Sequence, residues 1–185
     1  MKTKTKKLVI LILTALLVLS ILPMSVFAAQ RDVVAGSSAS ITIENALEND
    51  VLAAYKIVDI TYDNAKNTLT YAWNSHFADY FAGTTSYNNT AYTVEQFETL
   101  AADSEQLKSL LAGLPNYINA NSISNVAQTT VGASGTSTFV DLAMGEYFIR
   151  PTSTTSVYQL MLQKVEPTVV NGTYKIDDVT FTAKH

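Results

Sequence analysis

The run "VLAAYKIVDITY", residues 51–62, constrains this chain more than any other stretch. It is built almost wholly of strand-forming residues, and apolar side chains fall at odd and even positions alike. A strand has two faces, so such a segment needs a packed layer on both sides and belongs in the middle of a sandwich. Lys56 interrupts it. An ammonium buried in hydrocarbon is costly, so the position raises the question of what this lysine does.

The flanking sequence supplies further strands. "ASITIEN" (39–45) alternates Ile41 and Ile43 with Thr42 and Glu44, the pattern of a half-buried strand. After the turn "DNAKN" comes "TLTYAW" (68–73). Later, "VAQTTV" (126–131), the turn "GASG" (132–135) and "TSTFVDL" (136–142) read as a hairpin. A tight "AMG" turn leads to "EYFIRP" (146–151), then "VYQLMLQKV" (157–165), a "VNGT" turn (170–173) and "DVTFTAKH" (178–185). About eight short strands with one helical interruption predict a mainly β, immunoglobulin-like β-sandwich carrying a helical insertion.

The insertion has local start and stop signals. Thr93 and Gln96 have the spacing of a capping box, followed by Val94, Phe97, Leu100 and Ala101 at helical spacing. Ser104 caps a second helix with Leu107, Leu110, Leu111 and Leu114 on one face, ending near Gly113 and Pro115. "HFADYF" (76–81) reads as a single helical turn or irregular chain.

Residues 1–28 are a secretory signal peptide. Lys2, Lys4, Lys6 and Lys7 precede an apolar stretch from Leu8 to about Leu22, and Val26-Phe27-Ala28 offers small residues for cleavage after Ala28. The apolar run is short for a membrane span, so contact with a membrane is expected only through the uncleaved leader. Residues 29–38 read as a flexible entry segment, and 39–185 as one sandwich domain. All 16 acidic residues but only eight of the 12 basic ones follow Ala28, which gives the mature chain a formal charge of −8. Such a chain repels nucleic acid and anionic lipid. It has no cysteine, so a secreted location gives it no disulfide, and stability must come from packing or another crosslink.

Motifs of turnover chemistry are missing. The two histidines, His76 and His185, are far apart, and there is no "HExxH", "GxSxG" or "GxxxxGK[ST]". "DITYDN" (59–64) has oxygen ligands without the spacing or glycine of a calcium loop. The expectation is a protein that is not an enzyme and needs no cofactor or metal. Ten tyrosines, seven phenylalanines and Trp73, dense in "YAWNSHFADYFAGTTSYNNTAY" (71–92), could form a platform for a host glycan or protein, with Trp73 its candidate binding residue.

The order of "SITIENALENDVLAAYKIVDITYD", a Tyr-rich middle, "FVDLAMGEYFI" and "EPTVVNGTYKIDDVTFTAKH" resembles the N-terminal domain of Gram-positive sortase-assembled, isopeptide-forming pilin subunits. The telling parts are "AYKI", the F-x-x-L-x-x-G-x-Y stretch (Phe139, Leu142, Gly145, Tyr147) and the terminal strand. The resemblance implies a structural or adhesive pilus subunit at the cell surface or wall, with sortase and other pilin subunits as partners. The chain carries no "LPxTG"-like sorting signal, which leads us to expect a fragment, a truncated subunit or an isolated domain.

The resemblance also implies an intramolecular amide from an early-strand lysine to a last-strand asparagine, assisted by a carboxyl group. Lys56 takes the lysine's place. By strand parity it shares a face with Leu52, Ala54, Val58, Ile60 and Tyr62. There, desolvation would favour the neutral, nucleophilic amine. The assisting carboxyl is Glu146, with Asp141 as the alternative. His185 stands where the asparagine is expected and has no carbonyl carbon to offer; Asn171, Asp177 and Asp178 are the nearest other acceptors. In "VTFTAK" (179–184), Lys184 falls at the position that receives the next subunit through sortase, although Thr182 and Ala183 replace the Tyr and Pro of that motif.

Overall fold

The computed structural model describes residues 30–102, 104–153 and 157–185. The expected leader, 1–28, lies outside the described residues. In chain order the strands are β1 (Arg31–Asp32), β2 (Ser38–Glu44), β3 (Val51–Asp63), β4 (Thr68–Trp73), β5 (Ala127–Thr130) and β6 (Ser137–Ala143). They continue as β7 (Gly145–Pro151), β8 (Met161–Val165), β9 (Thr168–Val170), β10 (Thr173–Ile176) and β11 (Val179–Thr182). Four short helices lie between β4 and β5: α1 (Ala78–Phe81), α2 (Val94–Glu98), α3 (Glu105–Ala112) and α4 (Leu114–Ala120).

The long strand is central, as its two-faced apolar pattern requires. β3 pairs with β7 along one edge and with β4 and β5 in succession along the other, while β7 pairs onward with β8. The second sheet runs β11-β2-β6, with β11 parallel to β2. Ile41, Ile43, Phe139 and Leu142 from this sheet are buried in one core with Tyr147, Ile149, Met161 and Val165 from the first. The helices cover the other face of the five-stranded sheet: Arg150 of β7 reaches Asn119 of α4 at 2.8 Å. The fold is thus a mainly β, immunoglobulin-like sandwich with a helical insertion.

Several local expectations change. The two arms of the "GASG" turn do not form a hairpin: β5 joins β3, and β6 joins β2 in the other sheet. The turn carries the chain between layers, and the buried hydroxyl of Ser137 bridges them by meeting the Thr129 hydroxyl at 2.9 Å. The entry segment is not free chain. Arg31 and Asp32 pair with Ile176 and Lys175 of β10, and Val33 is buried. β9 and β10 form a hairpin on either side of the "VNGT" turn, where Asn171 and Gly172 both take positive φ. α3 ends at Gly113, as expected, but Leu114 and Pro115 open a further helix, α4, in whose first turn the missing N–H of the proline is unneeded.

Candidate functional site

The two stretches that carried the sequence resemblance meet where β3 crosses β7. Lys56 pairs with Tyr147 and Asp59 with Gly145. Tyr147 and Gly145 are two residues apart and share a face, so Lys56 and Asp59 share it as well, although three positions separate them. A bulge between Lys56 and Val58 makes this possible. Past the bulge the expected parity is reversed: Val58 pairs with Glu146, and Ile60 and Tyr62 follow it onto the opposite face.

The bulge answers the question that Lys56 raised. Its ammonium lies 2.6 Å from the Asp59 carboxylate, with the lysine side chain 20% exposed. The charge is paired and largely buried in the middle of β3, with its aliphatic stem over Gly145. A Cβ on Gly145 would stand 2.6 Å from Lys56 Cδ and 2.6 Å from the Val58 carbonyl oxygen, so the glycine of the F-x-x-L-x-x-G-x-Y stretch is the residue the crossing admits. Phe139, Leu142 and Tyr147 of that stretch are buried, and the Tyr147 hydroxyl donates to the Ala143 carbonyl.

Glu146 stands on the other face, beneath the helices. It is 3% exposed, and its Oε2 has no hydrogen-bond partner. Burial, with a smaller contribution from the Glu166 charge, pushes its carboxyl up to about 8. The Lys164 ammonium is 3.9 Å away but is engaged by Glu98 of α2 and lies 4.0 Å from Glu166. Burial holds Lys164 below the usual lysine range. The structure therefore does not bring Lys56 and Glu146 together: each has its own charged neighbour, on opposite faces of the sheet. Asp141, the alternative carboxyl, is exposed on β6 at φ 53°.

The C-terminal strand ends in a fixed backbone and a free side chain. Ala183 is buried, its N–H donates to Glu44, and its carbonyl accepts from the Asn45 amide at 3.0 Å. The next residue, Lys184, is exposed. The ring of His185 meets that of Tyr158 edge-on at 5.9 Å. Of the other acceptors, Asn171 is in the β9–β10 turn, Asp177 accepts from Gln30 at 2.8 Å, and Asp178 pairs with Arg31 at 3.0 Å. Trp73 is half-buried, stacked on Phe81 at 3.8 Å and edge-on to Phe97, and its indole N–H donates to the Tyr92 carbonyl. Its ring is a packing element, and the exposed aromatic of that segment is Tyr87.

No protein-family model and no curated protein matches the chain. Among the solved structures that are similar over most of its length are three pilins. The T6 backbone pilin of serotype M6 Streptococcus pyogenes is 18% identical with a TM-score of 0.46, the match covering 80% of this chain and 28% of that one. For the full-length major pilin SpaD of Corynebacterium diphtheriae the identity is 11%, the TM-score 0.36 and the coverage 82% and 31%. For the pilus backbone RrgB of Streptococcus pneumoniae they are 13%, 0.28, 80% and 40%. The chain thus spans between 28% and 40% of the length of these pilins.

Groups that sequence reasoning missed lie in β8 and α2. Lys164 near the end of β8 is within 4.0 Å of Glu146, Glu98 and Glu166; Glu166 is two residues further on and Glu98 is on a distant helix, and no local pattern links the two segments.

Proposed function

We propose that the chain is a structural subunit, or part of one, of a sortase-assembled fibre on a Gram-positive cell surface, and that Lys184 is the amine through which the next subunit is attached. The observation that carries this reading is the end of the sandwich. The backbone at Ala183 is held through both its groups, by Glu44 of β2 and by the side chain of the next residue, Asn45, and the side chain that follows Ala183 is exposed. An amine at the close of an ordered strand is accessible to an enzyme, and the strand transmits any pull on it into the sheet. The resemblance of "VTFTAK" to the acceptor motif, the expected leader and the acidic composition support the same role. It is a role of assembly rather than of turnover.

The test is the cell-wall fraction of the producing organism, boiled in detergent and blotted with antibody to this chain. The expected pattern is a ladder of detergent-resistant bands that Lys184→Arg collapses to the monomer. A monomer alone in the wild type, or a ladder that survives the substitution, would remove the assembly role or its assignment to Lys184.

A further inference from the structure

The side of the sandwich between β8 and β11 is open. Among the described strands β8 pairs with β7 alone and β11 with β2 alone, so each sheet ends there in a strand with one free edge. The two chain segments meet just outside these strands, where the Gln159 N–H donates to the Lys184 carbonyl at 2.8 Å. A groove of about 570 Å³ runs between these edges, roofed by α2 and α3 through Phe97, Leu107 and Leu111. Residues 159–164 line it without a break, and so do 181–184. Alternate side chains of a strand point to opposite faces, so the unbroken run 161–164 within β8 presents that strand's edge, with its backbone N–H and C=O groups. The Gln159 N–H, the Lys184 carbonyl and both backbone groups of Ala183, by contrast, are already engaged. Glu146 lines the same groove, and its buried Oε2 has no partner.

We propose that this groove receives an extended, uncharged segment of another polypeptide, which adds as a strand to the edge of β8 and takes a hydrogen bond from Glu146 through one of its carbonyls. Three observations select this occupant. Unpaired strand edges bind backbone, and natural sheets rarely leave them open. Lys164, the cation nearest the acid, is already engaged by Glu98 and lies 4.0 Å from Glu166, so it is not free to bind an acidic side chain at that point of the groove. Burial also keeps Glu146 protonated at neutral pH, which makes it a donor in need of an acceptor, and an extended segment supplies carbonyls. At about 4.8 Å between strands and about 10 Å from sheet to sheet, the volume corresponds to about four residues of strand. The inference does not depend on Lys184 being an attachment point.

The probe is a panel of N-acetylated, C-amidated hexapeptides alternating threonine with valine, leucine or phenylalanine, titrated into the ¹⁵N-labelled mature protein. The expected result is binding by at least one peptide, with amide shifts concentrated in 159–165 and 181–184. N-methylation of every second residue of that peptide should weaken it by about tenfold or more, because it removes the backbone donors while the protein is unchanged. Glu146→Gln, which keeps a donor, should bind within about twofold of the wild type, and Glu146→Leu about fivefold more weakly. No binding up to millimolar peptide, binding indifferent to N-methylation, or shifts centred on Thr68–Trp73 or Ser137–Ala143 would overturn the proposal. So would a peptide-free dimer with the same amides shifted, which would assign the groove to a second copy of the chain.

Discussion

A buried carboxyl group favours its neutral form, and Glu146, whose Oε2 has no hydrogen-bond partner, is such a group. In the folded chain it keeps its proton up to about pH 8, whereas the unfolded chain releases it near 4.5. Between those values the folded state binds a proton that the unfolded state has lost, so this group makes stability fall as pH rises. Its contribution is whole below 4.5 and gone above about 8, an interval with an upper bound of about 5 kcal/mol. Glu146→Gln has no such proton to lose. Urea melts of the two proteins should therefore nearly coincide at pH 4.5 and separate by a few kcal/mol at pH 8, with the glutamine variant the more stable. Equal midpoints at pH 8 would mean that the folded chain ionises Glu146 at no cost. The sequence marked Glu146 only as a candidate, since glutamate is rarely buried and its burial depends on helices far away in the chain. For Lys56 the sequence showed the odd charge but not its partner. The bulge that turns Asp59 toward it has no signature in "AYKIVDI".

Among elements, the helical insertion is pinned to the sheet by aromatic rings. Trp73 at the end of β4 stacks on Phe81 of α1 and meets Phe97 of α2, while Tyr80 and Phe77 contact Tyr117 of α4. Removing the indole leaves a cavity under two helices, and Trp73→Ala is expected to cost about 3 kcal/mol. It should also speed amide exchange in 94–98 far more than in the central strand β3. Uniform loss of protection would mean that the insertion and the sandwich unfold as one unit. The starts of these helices were legible because caps are local. The Thr93 hydroxyl accepts from the Gln96 N–H while the Gln96 side chain accepts from the Thr93 N–H, and Ser104 accepts from the Leu107 N–H. Strand partners were less legible because pairing is decided at a distance. "GASG" has the residues of a hairpin turn, yet its arms separate because β3 and β2 each present an edge to one of them. The β9–β10 hairpin was read only as its turn, its strands being three and four residues long and mostly exposed or half-buried.

At the scale of the whole molecule, the first long strand and the last one lie side by side and parallel. Val179 faces Ile41 and Thr182 faces Glu44, so the chain enters β2 at one end of this pair and leaves β11 at the other. Tension applied across the domain pulls the two strands past each other and loads their hydrogen bonds together. The bonds beyond the strand, Ala183 N–H to Glu44 and Asn45 to the Ala183 carbonyl, share that load. The short β1–β10 pairing, two residues on each side, would peel away first and add little. Handles at positions 48 and 184 would instead emerge from the same end of the pair and open its bonds one after another. Because the chain has no cysteine, Gln30→Cys with Lys184→Cys and Glu48→Cys with Lys184→Cys give two unambiguous pulling geometries in residues 29–185. Single-molecule extension should show a higher unfolding force for the first pair of handles than for the second. Equal forces would place the mechanical barrier in another strand pair and take away the mechanical advantage of a last strand parallel to β2.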